Sequence, residues 1–230
     1  MRRVWRAAIV AAAFVSACAP TPAQNNETRL VEDAVEVFRA LTQVPEKEIP
    51  DLMMKDTYGV AILPGVQKAA FVIGGQYGKG ILLARDSAGG WGAPLFITLT
   101  GGSIGWQIGV QSSDLVLFFR TRRSVDGVLK GSYTLGVDVS VAAGALGRQA
   151  GAGTDTELQA EIYTYARSRG LFAGVMLAGV KLDVDLDAAS AYYGRSSAGA
   201  EEILNGTRLK LPASAVELKR VLNEYMESLR

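Results

Sequence analysis

The stretch Leu95–Arg120, LFITLTGGSIGWQIGVQSSDLVLFFR, alternates apolar and polar residues over most of its length. Ile97 and Leu99 alternate with Thr98 and Thr100. Ile104, Trp106, Ile108 and Val110 alternate with Ser103, Gly105, Gln107 and Gly109. Leu115, Leu117 and Phe119 lie in a more continuously apolar run. A period of two is the pattern of a half-buried strand, so three short strands are expected here. The middle strand has one apolar face and one face of Ser103, Gly105, Gln107 and Gly109. Glycine weakens a strand and marks close approach by another backbone or a ligand, so this second face is a candidate close-packing surface.

The flanks extend the same pattern. Tyr58–Leu63 is an apolar run that stops at Pro64-Gly65. Lys68–Gly75 and Gly78–Arg85 are expected to pair as a hairpin across Gln76-Tyr77. Tyr133–Val141 alternates again, and Glu157–Arg167 and Leu171–Asp183 read as two further strands. Residues 144–153 form a Gly/Ala-rich connection.

Helical spacing appears at both ends. In Glu27–Gln43, Leu30, Ala34, Val37, Phe38 and Leu41 share one face. Core packing is the preferred role for that face, because the opposite one carries Glu32, Asp33 and Glu36, which an anionic membrane repels. Leu52–Met54 reads as a short helical turn, and Thr121–Lys130 as a short helix with Val125, Val128 and Leu129 inward. Asp187–Tyr193 and Ser197–Asn205 are stopped by Gly194 and Gly206. Ser214–Leu229 starts with a capping box, Ser214 and Glu217. The fold class that follows is mainly β (α+β): an antiparallel β-sandwich or partly closed barrel with flanking N- and C-terminal helices.

Composition bounds the chemistry. The 230 residues include no histidine and one cysteine. A Ser-His-Asp triad, a Cys-His pair, a histidine-ligated zinc and an intramolecular disulfide are therefore out of reach. The cysteine follows a leader. Arg2, Arg3 and Arg6 precede the apolar run Ala7–Val15, which is too short to span a bilayer. Val15-Ser16-Ala17-Cys18 then resembles a bacterial lipobox, in which the thiol is acylated and the chain is cut before it. The expected organisation is a signal peptide at 1–17, a lipidated tether at 18–26 and one domain at 27–230. By resemblance to Gram-negative lipoproteins, Ala19 permits sorting to the outer membrane, with the domain facing the periplasm. Three acyl chains hold far better than one. Residues 19–26 reach about 30 Å at full extension. Cleavage lowers the basic count from 24 to 21 against 23 acids, a net charge near −2. That balance does not fit a nucleic-acid-binding protein.

Three motifs that suggest chemistry fail on context. Gly101–Gly105 matches G-x-S-x-G around Ser103, but that elbow needs a histidine base and a strand–turn–helix setting. Gly74–Gly80 resembles a phosphate loop, with too short a spacing and with Gly80 after Lys79. Asp183, Asp185 and Asp187 begin like a calcium loop, but Ala188 and Gly194 stand where Gly and Glu are required. A strand end followed by a helix cap suits that stretch better, so no metal and no cofactor is expected. The basic residues suggest more. Arg120, Arg122, Arg123 and Lys130 cluster between two strands, and Arg167 and Arg169 flank another turn, while Lys68, Lys79, Arg85 and Arg148 are scattered. The first six are the candidate phosphate-headgroup contacts, since arginine's fork fits phosphate.

GVAILPGVQKAAFVIGGQYGKGILLARD at 59–86, GGSIGWQIGVQSSDLVLFF at 101–119, GVDVSVAAGALGRQA at 136–150, YTYARSRGLFAGVMLAG at 163–179 and AYYG at 191–194 together resemble the SYLF-domain family. The resemblance implies a lipid-binding module. Eukaryotic members resemble one another in binding phosphoinositides, and some also bind actin; bacterial members are typically exported. Ala189 stands where the family's pattern has Asn before Tyr-Tyr-Gly, and no companion SH3 or FYVE segment is legible. The expectation is a non-enzymatic phospholipid-binding domain of a membrane-anchored lipoprotein. The alternatives are an envelope scaffold whose 103–111 face receives a protein partner, and a lipid-acting enzyme using Asp114 and Asp138.

Overall fold

The computed structural model describes residues 26–43, 56–70, 73–86, 89–104, 109–131, 133–144, 160–168, 170–195, 199–205 and 209–228. The leader, Cys18, the tether up to residue 25, Leu52–Met54, Gly105, Gln107, Arg148 and Arg169 lie outside them.

Four long strands make the centre: β1 Gly59–Ala70, β2 Ile73–Ala84, β3 Leu95–Ile104 and β4 Gly109–Phe119. The 95–120 stretch thus holds two described strands, and the centre of the expected middle strand, 105–108, lies outside the described residues. Helix α1 is Asn26–Thr42 and α2 is Arg122–Leu129. Short strands β5 Tyr133–Leu135, β6 Val141–Ala143, β7 Ile162–Ser168, β8 Leu171–Gly174 and β9 Val180–Val184 follow. Helices α3 Leu186–Tyr193, α4 Ala200–Asn205 and α5 Ala213–Ser228 complete the order.

All nine strands among the described residues belong to one sheet in the order β5-β9-β3-β2-β1-β4-β7-β6, with β8 on β7. Every pairing is antiparallel except β6 with β7. The two ends of this path are adjacent in sequence: residues 136–140 alone join β5 to β6, and Gly136 turns there at φ +79°. Segment 175–179 spans the same gap. The Val175 amide donates to the Thr164 carbonyl on β7 at 3.1 Å, and the Gly179 amide donates to the Leu135 carbonyl on β5 at 2.8 Å. The sheet is therefore rolled into a partly closed barrel, the second of the two expected architectures.

Inside β1, the pair Pro64-Gly65 does not end the strand. Against β2, five steps of β1 (62 to 67) match four of β2 (81 to 77). Against β4, three steps (63 to 66) match two (115 to 113). One extra residue on the β1 side is a β-bulge, and Gly65 at φ +60° supplies the left-handed position. The hairpin accordingly joins β1 and β2 beyond Ala70, not across Gln76-Tyr77, which lie within β2. Gly80 packs against β1 so closely that a Cβ would stand 2.5 Å from the Ile62 carbonyl oxygen.

The outer face carries the terminal helices. Phe118 pairs with Tyr165 edge to face at 5.6 Å, and Phe96 with Tyr192 at 5.1 Å. Helix α1 buries Val31, Ala34, Val35, Val37, Phe38 and Leu41, so its apolar face is core. Phe38 meets Tyr225 of α5 at 5.8 Å, and Arg39 pairs with Glu217. The expected capping box at α5 is absent. Ser214 lies within the helix, buried, with its hydroxyl 2.7 Å from that of Tyr192, while Glu217 bonds Arg39 and Arg220. Asp185 does cap α3, accepting the Ala188 amide at 2.9 Å, and pairs with Lys79 at 3.2 Å. Burying a large core side chain contributes about 1.5–3 kcal/mol, and one contiguous core runs from Val31 to Leu222.

Candidate functional site

The basic candidates fall in two places. Arg120 follows β4, and Thr121 caps α2 by accepting the Ser124 amide at 3.1 Å. Val125 and Val128 face inward, as expected, and close one end of the barrel. A Cβ on Gly59 would meet Val125 at 2.6 Å, and one on Gly127 would meet the Tyr133 ring at 2.3 Å. With that face buried, Arg122, Arg123 and Lys130 are left exposed.

Carboxylates border this cluster. Arg120 lies 3.6 Å from Asp56, Arg122 lies 3.6 Å from Asp126, and the Thr121 hydroxyl donates to Glu161 at 2.9 Å. Such exposed pairs are weak, worth about 0–1 kcal/mol. Among the described residues, Arg123 and Lys130 take part in no ion pair. Burial, and then the charge of Glu161, push the Tyr133 hydroxyl up to about 12, with Arg123 opposing.

Arg167 is not part of that cluster. Its Nε donates to Asp114 at 2.7 Å, and its guanidinium lies 5.6 Å from the Phe172 ring centre. Asp114 is six residues from Arg120 along β4, about 20 Å of strand. Asp114 also accepts the Gly65 amide at 2.9 Å, and Asp138 accepts the Thr134 amide at 2.7 Å within a turn. Both carboxylates named for the enzyme alternative are thus bonded into the backbone framework. Of the expected close-packing face, Ser103 pairs with Gly74 and Gly109 with Ala70 in the sheet.

The opposite end of the barrel opens into a cleft of about 440 Å³. It lies some nine residues along β1 from Gly59, about 30 Å from the end that α2 closes. In the register, Lys68 stands opposite Gln76 on one side and Gln111 on the other. Directly opposed residues of antiparallel strands share a face. Val66 and Leu115, which also line the cleft, are buried, and Met176 and Leu177 of the 175–179 strap line it too. The glutamine beside the lysine is seated by a glycine: a Cβ on Gly101 would stand 2.9 Å from the Gln76 amide nitrogen. Sequence reasoning left Lys68 among scattered bases. Its alternation with Val66 is the available signal, and Pro64-Gly65 obscures it.

A family model described as Ysc84, Las17-binding protein actin regulator, matches residues 100–225. The chain is 35% identical over 212 residues to SH3 domain-containing YSC84-like protein 1 of Xenopus laevis, covering 90% of this chain and 63% of that protein. The Homo sapiens protein of the same name is 34% identical over 212 residues, covering 90% and 61%. Protein YSC84 of Saccharomyces cerevisiae is 34% identical over 203 residues, covering 86% and 43%. The chain thus spans less than two thirds of the length of these relatives. The family match takes in β3 through most of α5, the half of the molecule that carries α2, the strap and the Tyr192–Ser214 bond, and the chain belongs to the Ysc84 family, that of the SYLF domain.

Proposed function

We propose that the protein is a non-enzymatic phospholipid-binding domain, anchored through acylated Cys18 to the outer membrane and facing the periplasm. The observation that supports this reading best is α2. Its apolar face closes the barrel, so Arg122, Arg123 and Lys130 stand in solvent, two of them without a carboxylate partner among the described residues. Each such base near an anionic surface contributes about 1 kcal/mol. That is weak alone, but an anchor with a tether of about 30 Å keeps the domain at high effective concentration beside the bilayer. Arg167 is bound to Asp114 at 2.7 Å, and Arg120 lies 3.6 Å from Asp56, so in this reading Arg123 and Lys130 contribute most to headgroup contact.

The test is flotation of the chain from Ala19 with vesicles. That chain keeps every described element and the whole described core. Binding to anionic vesicles at low salt is expected; failure to float with either anionic or zwitterionic vesicles contradicts the proposal. The anchor has its own test, the mass of the N-terminal peptide of protein taken from membranes.

A second reading is an adaptor that binds an envelope protein. It is favoured by the family description, which names a Las17-binding protein. Cross-linking in intact cells separates the two readings.

A further inference from the structure

The basic helix makes no use of the cleft at the other end of the barrel. That cleft has a chemistry of its own. Lys68 is the single charged residue among the described residues lining it. It forms no ion pair among the described residues. Gln76 and Gln111 stand on the two neighbouring strands directly across from it, so one ammonium and two amides converge on a single rim. All three groups can donate hydrogen bonds to an oxyanion. Beneath the rim the lining turns apolar, with Val66, Leu115 and Leu177 buried. Met176, on the strap, also lines the cleft and is 59% exposed.

The volume, about 440 Å³, lies within the range of small-molecule sites and is too small for a helix of a partner protein. A charged, hydrogen-bonding rim above an apolar floor fits a molecule of the same polarity. We propose that the cleft takes up one monomeric amphiphile, with an anionic head at Lys68 and a single apolar chain under the strap. This goes beyond the surface contact assigned to α2, because the ligand leaves the bilayer and its site lies about 30 Å away along β1.

The test uses the chain from Ala19 and titrates oleate, below its micellar concentration, by calorimetry. Oleyl alcohol, acetate and inorganic phosphate are titrated in parallel. One-to-one binding of oleate is expected, with none of the other three competing well. Lys68→Met keeps the apolar stem and removes the charge, and it should weaken oleate binding about tenfold or more. Met176→Glu, on the exposed strap, puts a like charge at the entrance and should weaken it also. Both variants should float with anionic vesicles as the parent does, so failure here is distinguishable from failure of the α2 reading. The proposal is overturned if oleate does not bind saturably or if phosphate or acetate displaces it at similar concentration. It is also overturned if both variants bind as the parent does. If Lys68→Met fails to fold, unchanged binding by Met176→Glu overturns it alone.

Discussion

The Asp114 carboxylate on β4 joins the two strands that flank it: one oxygen accepts Nε of Arg167 on β7 at 2.7 Å, and the other accepts the amide of Gly65 in the β1 bulge at 2.9 Å. The bulge leaves the Gly65 amide outside the ladder, and Asp114 satisfies it. The pair is largely shielded, with side chains 26% and 19% exposed.

Asp114→Ala therefore removes both bonds, the one to Arg167 from a largely shielded site. Loss of stability by about 1–3 kcal/mol is expected, read from the urea midpoint. Arg167→Gln should also destabilise, yet leave vesicle binding unchanged, because this arginine serves the fold.

Gly80 makes a sharper prediction. A Cβ there meets the Ile62 carbonyl and Leu63 Cγ, both at 2.5 Å, and the first is backbone that does not yield. Gly80→Ala should cost about 1–3 kcal/mol. Gly75→Ala, where the nearest atom is 3.9 Å away, should fall within about 0.5 kcal/mol of the parent. Paired denaturation curves check both.

The tyrosines set the alkaline limit. Burial raises the Tyr133 hydroxyl from 10.0 to about 12, and burial is also the first cause that raises Tyr165, Tyr192 and Tyr193. Folded values above unfolded ones mean that stability is intact below pH 10 and is lost as pH rises toward 12. Absorbance titration should show these hydroxyls ionising late, together with loss of the fold. Tyr133→Phe should retain more stability than the parent in that window.

Much of the barrel is legible in the sequence because a rolled sheet has alternation along its strands. Ile97 with Leu99, and Leu115 through Phe119, locate β3 and β4, and the α1 face is written in Ala34, Val37, Phe38 and Leu41. What is lost depends on partners far along the chain. Pro64-Gly65 has the local chemistry of a strand end, and becomes a bulge only because Asp114, 49 residues on, receives its amide. Leu171–Asp183 looks continuous, but Thr164 and Leu135 draw 175–179 out as a strap. Ser214 looks like a cap until Tyr192 claims its hydroxyl.

The candidate site divides the same way. Arg122, Arg123 and Lys130 are near one another in sequence and sit on one short helix and its C-cap. Arg167, at another turn in the sequence, is bound instead to Asp114, and the row Gln111–Lys68–Gln76 exists only through pairing of three strands.

The most direct test of the phospholipid-surface reading is flotation of the chain from Ala19 carrying Arg123→Glu and Lys130→Glu, beside the parent, across a salt series. Both positions are exposed, so the fold should survive. The account predicts that the parent floats with anionic vesicles at low salt and is released as salt rises, and that the double variant stays in solution throughout. Equal flotation of parent and variant, or flotation indifferent to salt, would contradict it.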